Sequence, residues 1–319
     1  MRKAVFSLFG EIWKFIKADF HLLSYLYTFV FIGVCIYFNY TEGFYKNVIR
    51  NSYFEGNSNW MFPLFYGIAY FLVAIPTFLL RKEYKSLTDW KFYARSLFFI
   101  CIYGLSIGFY SYKQWQFSSL FDEEVGLILK IVSQLKSLFF YFIPLVLMKL
   151  FVDKDIEGLY GLSKNTQHVK GYFSMFLMLL PFIIFISFSS DFQVAYPQFK
   201  PWLFEGAFGL QTWLYTSVFE VTYAVDFVMT ELLFRGALVI GMMTVLGRKA
   251  ILPMVAMYVA IHFGKPLGET ISSMFGGFML GALAYQTRHI WGGVIVHILI
   301  ALSMEIMGLF HVYSGANLD

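Results

Sequence analysis

Four ionisable side chains stand in apolar surroundings in the last third of the chain. Glu231 and Arg235 lie in Thr230-Glu231-Leu232-Leu233-Phe234-Arg235-Gly236, and His262 and His297 follow in two later apolar runs. A carboxylate and imidazoles are the groups that exchange protons with water near neutral pH, and a guanidinium holds a carboxylate by charge-assisted hydrogen bonds. At the centre of a bilayer each such group costs roughly 2.5 kcal/mol or more unless it finds a partner or a water-filled cavity. The four are therefore expected to converge. Glu231 and Arg235, four residues apart, share one helix face and neutralise each other locally. The histidines have to be brought in by other segments. The chemistry such a set suits is hydrolysis, with activated water as nucleophile and donors for the developing oxyanion.

The order of these residues is Thr230-Glu231-x-x-x-Arg235, then Tyr258-x-x-x-His262, then His297-x-x-x-Ala301. It resembles the CAAX-type intramembrane endopeptidases, the CPBP (CAAX protease and bacteriocin-processing) or Abi family. That family's pattern is Glu-Glu-x-x-x-Arg, Phe-x-x-x-His and His-x-x-x-Asn or Asp. The resemblance implies catalytic roles for Glu231, His262 and His297, with His262 activating water and His297 supporting the oxyanion. It places Arg235, Thr230, Tyr258 and Ala301 in supporting positions. Two polar positions differ: Thr230 stands where the family has its first glutamate, and Ala301 where it has asparagine or aspartate. Glu231 takes over the base role only if the backbone turns its carboxylate toward His262, because neighbouring helical residues project about 100° apart. Asp226, Glu220, Glu305 and Glu269 are further carboxylates within reach along the sequence, Glu269 being placed to pair with Lys265.

Two other readings of the same four residues stay open. They could form a buried ion-pair and hydrogen-bond cluster that only ties core helices together. Zinc held by Glu231, His262 and His297 from three segments is the other, although no His-x-x-x-His or His-Glu-x-x-His pair is present. The expectation is no cofactor. His289 and His311 are expected at the interface, and with His21 and His168, which flank apolar runs, in solvent.

Hydrophobic residues make up 59% of the 319, aromatics 21% and charged residues only 14%, against about a quarter charged in soluble domains. This composition specifies an all-α polytopic transmembrane bundle. The net charge of +4 comes from lysines and arginines between apolar runs, a pattern that gives orientation and no case for nucleic acid. Cys35 and Cys101 lie in apolar runs without metal or disulfide spacing.

The elements that must position the site follow from run length, about 17 to 25 residues per span. Residues 1–19 alternate basic and aromatic or aliphatic residues as an amphipathic interfacial helix, retained and not a signal peptide. Residues 20–190 hold the N-terminal spans near 20–38, 61–80, 96–112, 135–152 and 172–188. Residues 209–310 form the core that carries the motifs, in runs 209–246, 251–263, 271–287 and 290–310. That makes about nine spans. The 209–246 run is too long for one span and should tilt, protrude or break near Thr230. The segment from Asp122 to Lys136 reads as a surface helix or loop, and the aromatic loop 189–208 as a cap at the headgroup layer. Ser273, Gly277 and Gly281 make a small-residue seam for close helix packing. The Lys and Arg bias puts the N-terminus in the cytoplasm of what is expected to be a bacterial inner-membrane protein.

The function expected from the resemblance is endoproteolysis of a membrane-tethered or lipidated peptide, with membrane lipids and possible further membrane subunits as partners. The alternative is an inactive relative serving as a binding or scaffolding subunit. Secondary transport would require repeated halves with matching interruptions, which the sequence does not show.

Overall fold

The computed structural model describes residues 2–156, 158–166 and 168–315, with side chains from residue 5 onward. Ten helices organise them: α1 (Arg2–Asp19), α2 (Leu22–Glu42), α3 (Ser58–Leu80), α4 (Trp90–Gly108), α5 (Asp122–Phe151), α6 (Val169–Ile186), α7 (Thr212–Glu231), α8 (Ile251–Ala260), α9 (Leu267–Thr287) and α10 (Trp291–Tyr313). Short helical turns fill several connections, and among the described residues there is no strand. Lipid-facing sides of α2 and α6 carry exposed Leu22, Val30, Phe182 and Phe185, as expected where the solvent is hydrocarbon. The protein is an all-α, multi-pass integral membrane bundle.

Seven helical stretches among the described residues are long and apolar enough to cross a membrane. The nine spans expected from the sequence are not reproduced as a count. The apolar stretch Thr212–Ala260 is one of the seven, yet it folds back within itself. At ten residues α8 is about 15 Å long, half the hydrocarbon thickness. All ten of its residues are buried, enclosed by α2, α3, α9 and the extension of α7.

The long run does break beside Thr230. The α-helical pattern ends at Glu231, and residues Leu232–Gly241 continue as a π-helix with every residue buried. Such widened turns are uncommon and concentrate at functional sites. This one is anchored by Tyr160, whose carbonyl lies 2.7 Å from the position a Cβ on Gly236 would take and whose ring lies 3.0 Å from that on Gly241. Tyr160 in turn donates to Asp153 Oδ2 at 2.7 Å, Arg95 pairs with Asp153, and Arg95 Nη1 donates to the Gly241 carbonyl at 3.0 Å. An ion pair, a phenol and two bare glycine backbones thus fix the middle and end of the site-bearing helix.

Several expectations change. Asp122 to Lys136 is no separate surface segment but the first half of α5, packed on α7. His289 and His311 are not solvated: each is 1% exposed. His311 Nε2 meets the Ser187 hydroxyl at 3.0 Å, and His289 lies edge-on to Tyr172 with centroids 6.1 Å apart. An imidazole is half apolar and buries readily once its polar atoms have partners. By contrast the small-residue seam packs as expected. A Cβ on Gly277 would sit 2.8 Å from the Tyr258 ring, and one on Gly281 2.6 Å from Met254 Cε, so α8 lies in the groove these glycines leave on α9. Helix α1 buries Leu8, Ile12 and Phe15 and exposes Phe9 and Trp13.

Candidate active site

Glu231 is the last residue of α7 and Arg235 sits one turn into the π-helix. Both are fully buried, and Arg235 Nη1 donates to Glu231 Oε1 at 2.7 Å. The same oxygen lies 2.5 Å from His297 Nδ1 on α10. On the opposite edge of the imidazole, Nε2 lies 2.6 Å from the Tyr258 hydroxyl on α8. The Arg235 guanidinium carbon stands 4.2 Å over the Tyr258 ring, a cation–π arrangement. Phe227 covers the other side of His297, with centroids 5.8 Å apart. The end of α7, the π-helix, α8 and α10 thus supply one continuous polar chain, Arg235–Glu231–His297–Tyr258, in an apolar shell.

His262 follows α8 in the turn that leads to α9. Its Nδ1 lies 2.7 Å from the Tyr258 carbonyl. A carbonyl only accepts, so Nδ1 carries the proton and Nε2 keeps its lone pair. The turn is pinned from two sides. Thr270 Oγ1 donates to the His262 carbonyl at 2.6 Å, the Tyr40 hydroxyl donates to the Lys265 carbonyl at 2.5 Å, and Asn39 Nδ2 donates to the Phe263 carbonyl at 3.0 Å.

The convergence expected of Glu231, Arg235 and His297 is therefore present, and His262 joins through both the ring and the carbonyl of Tyr258. Glu231 directs its carboxylate at Arg235 and His297; the closest described partner of His262 is Tyr258. Thr230, half-buried, is the next-to-last residue of α7. Ala301 is buried one turn beyond His297 and offers only a methyl group. Two of the other carboxylates, Glu305 and Glu269, have their own partners, whereas Glu220 Oε2 is buried with no described hydrogen-bond partner. Glu305 accepts the backbone N–H of Gln198 at 2.8 Å and of Phe199 at 3.2 Å. Glu269 stands 3.8 Å from Lys265 Nζ, as expected, and also accepts from the Tyr196 hydroxyl at 3.0 Å. Burial and then the Glu269 charge push the phenol of Tyr196, in the 187–211 connection, well above its ordinary value.

Both His297 nitrogens are taken, one by Glu231 and one by Tyr258, and among the described residues no three His, Cys, Asp or Glu side chains come together as ligands.

Sequence reasoning missed Gly293, Thr270, Asn39 and Tyr40. Gly293, four residues before His297, faces Glu231: a Cβ there would lie 1.8 Å from Oε2. The signal was legible as two adjacent glycines opening an apolar helix one turn before a histidine. Asn39 and Tyr40 offered only a polar end to an otherwise apolar run.

Residues 211–303, less than a third of the chain, match the family model described as type II CAAX prenyl endopeptidase Rce1-like. The matched segment runs from the start of α7 into α10 and contains every residue of the polar chain. No curated protein and no solved structure matches.

Proposed function

We propose that the protein is an intramembrane endopeptidase of the CAAX type that cuts a membrane-tethered or lipidated peptide with activated water. The observation that carries this reading is the Arg235–Glu231–His297–Tyr258 chain inside the segment that matches a prenyl endopeptidase family. Buried charge of this kind is expensive and is characteristically kept at functional sites. In this reading His262 Nε2 takes the proton of the attacking water. Glu231, held by Arg235, orients His297, which supports the developing oxyanion from the far side of the Tyr258 hydroxyl. The membrane is a bacterial inner membrane and the N-terminus is cytoplasmic, a topology favoured by basic connections such as 81–95 and 149–170.

A specific observation favours a second reading. Thr230 has no useful basicity and Ala301 no donor, so a noncatalytic relative that keeps the bundle as a binding or scaffolding subunit is the competing proposal. Purified protein in liposomes, incubated with a farnesylated cysteine peptide, separates the two. Endoproteolysis gives a site-specific product that Glu231→Ala and His262→Ala lose. Identical product patterns for all three proteins would reject it, and stable co-purification of a membrane partner without turnover would favour the scaffold.

A further inference from the structure

Tyr258 touches both histidines. Its carbonyl fixes the tautomer of His262, and its hydroxyl meets His297 Nε2. The ring is locked between the Arg235 guanidinium at 4.2 Å, the edge of Phe234 at a centroid distance of 5.2 Å and the bare backbone of Gly277. Only 3% of the residue is exposed. So much packing around one phenol holds its oxygen in a fixed place, which is what a preorganised donor requires.

The proton count gives this hydroxyl a direction. His297 Nδ1 faces Glu231 Oε1, which already accepts from Arg235, so Nδ1 carries a hydrogen. When Nε2 is protonated as well, it donates to the Tyr258 oxygen, and the phenolic hydrogen is released to point elsewhere. A cation over the ring draws electron density from the phenol and strengthens O–H as a donor. Ala301 supplies nothing at the neighbouring position on α10.

We propose that the Tyr258 hydroxyl is a further catalytic residue of the hydrolysis proposed above, donating a hydrogen bond to the oxyanion. As water adds to the scissile carbonyl carbon, its proton passes to His262 Nε2 and the carbonyl π pair moves onto oxygen. Tyr258 O–H binds that oxygen and keeps its own proton. When the intermediate collapses, the C–N bond breaks and His262 returns its proton to the leaving amine. Atoms and charge balance without any other reactant.

The inference rests on the endopeptidase reading, and the test keeps the two separable. The probes are a farnesylated cysteine peptide and its analogue with a phosphinate in place of the scissile amide, a tetrahedral anion that binding alone reports. Tyr258→Phe retains the ring, the seat at Gly277 and the carbonyl to His262, so its melting temperature should fall by only the few degrees that one lost hydrogen bond costs. The expected result is that wild type prefers the phosphinate to the amide, that Tyr258→Phe loses about 10²-fold of that preference, and that kcat falls similarly with KM little changed. An equal preference in both proteins, or none in the wild type, overturns the role of Tyr258. Preference for the phosphinate without any cleavage of the amide would leave this role standing and overturn the endopeptidase reading.

Discussion

Glu231 Oε2 occupies the space where any side chain on Gly293 would begin, 1.8 Å from the ideal Cβ position. The absent side chain of α10 is thus what lets the carboxylate end of α7 reach His297, one turn further along the same helix. Close approach of two helices through a glycine is a recurring packing device in lipid, and in this bundle it seats a charge.

Gly293→Ala should therefore expel the carboxylate from its place between Arg235 and His297. Overpacking of this kind costs about 1–3 kcal/mol. Gly276→Ala on α9 is the control, since a Cβ there meets nothing within 4 Å and helix propensity favours alanine. Thermal melts in detergent should show a lower melting temperature for Gly293→Ala only. Equal melts would mean that Glu231 has another place to go.

Arg235→Ala should destabilise more than His297→Ala. Arg235 is the residue that pairs Glu231 at 2.7 Å with both side chains fully buried, and stripping one partner from a buried ion pair costs roughly 3–5 kcal/mol. Removing His297, which is partly exposed, leaves that pair intact. Melting curves of the two variants in the same detergent check the order.

The Tyr40 hydroxyl reaches the Lys265 carbonyl and Thr270, and so holds the turn on which His262 rides. Tyr40→Phe should cost about 1 kcal/mol of stability and loosen that turn. Amide hydrogen exchange over residues 261–265 should quicken in the variant while exchange in α10 stays as it was.

How much of the site was legible depends on distance along the chain. The pairing of Glu231 with Arg235 is a four-residue relationship and follows from helical spacing alone. The seam Ser273, Gly277 and Gly281 was readable for the same reason, as was the break beside Thr230 from the excess length of the run. His297 could be placed near Glu231 only through the high cost of leaving either unpaired. That Glu231 faces His297 and Arg235 depends on the α-to-π transition at Leu232 and on the gap at Gly293, and neither has a sequence period. The burial of His289 and His311 was missed because their partners, Tyr172 and Ser187, lie more than a hundred residues away.

Restoring the two divergent positions should raise activity. Thr230→Glu adds a carboxylate beside the polar chain, and Ala301→Asn adds an amide donor one turn from His297. A single donor of this type is commonly worth about 10²-fold in rate. The double variant should cleave a farnesylated peptide faster than the wild type. A double variant that stays inert beside an active wild type would show that position 230 takes no part in activating water.

Whether the buried polar chain performs hydrolysis is met most directly by mapping products by mass spectrometry. Wild type, Glu231→Gln and His262→Ala, each reconstituted in liposomes, would be given the same farnesylated peptide. We expect one defined cut by the wild type, slowed at least about 10²-fold in each variant, with both variants still folded by their melting curves. The same products at the same rate from folded His262→Ala would contradict hydrolysis at this site.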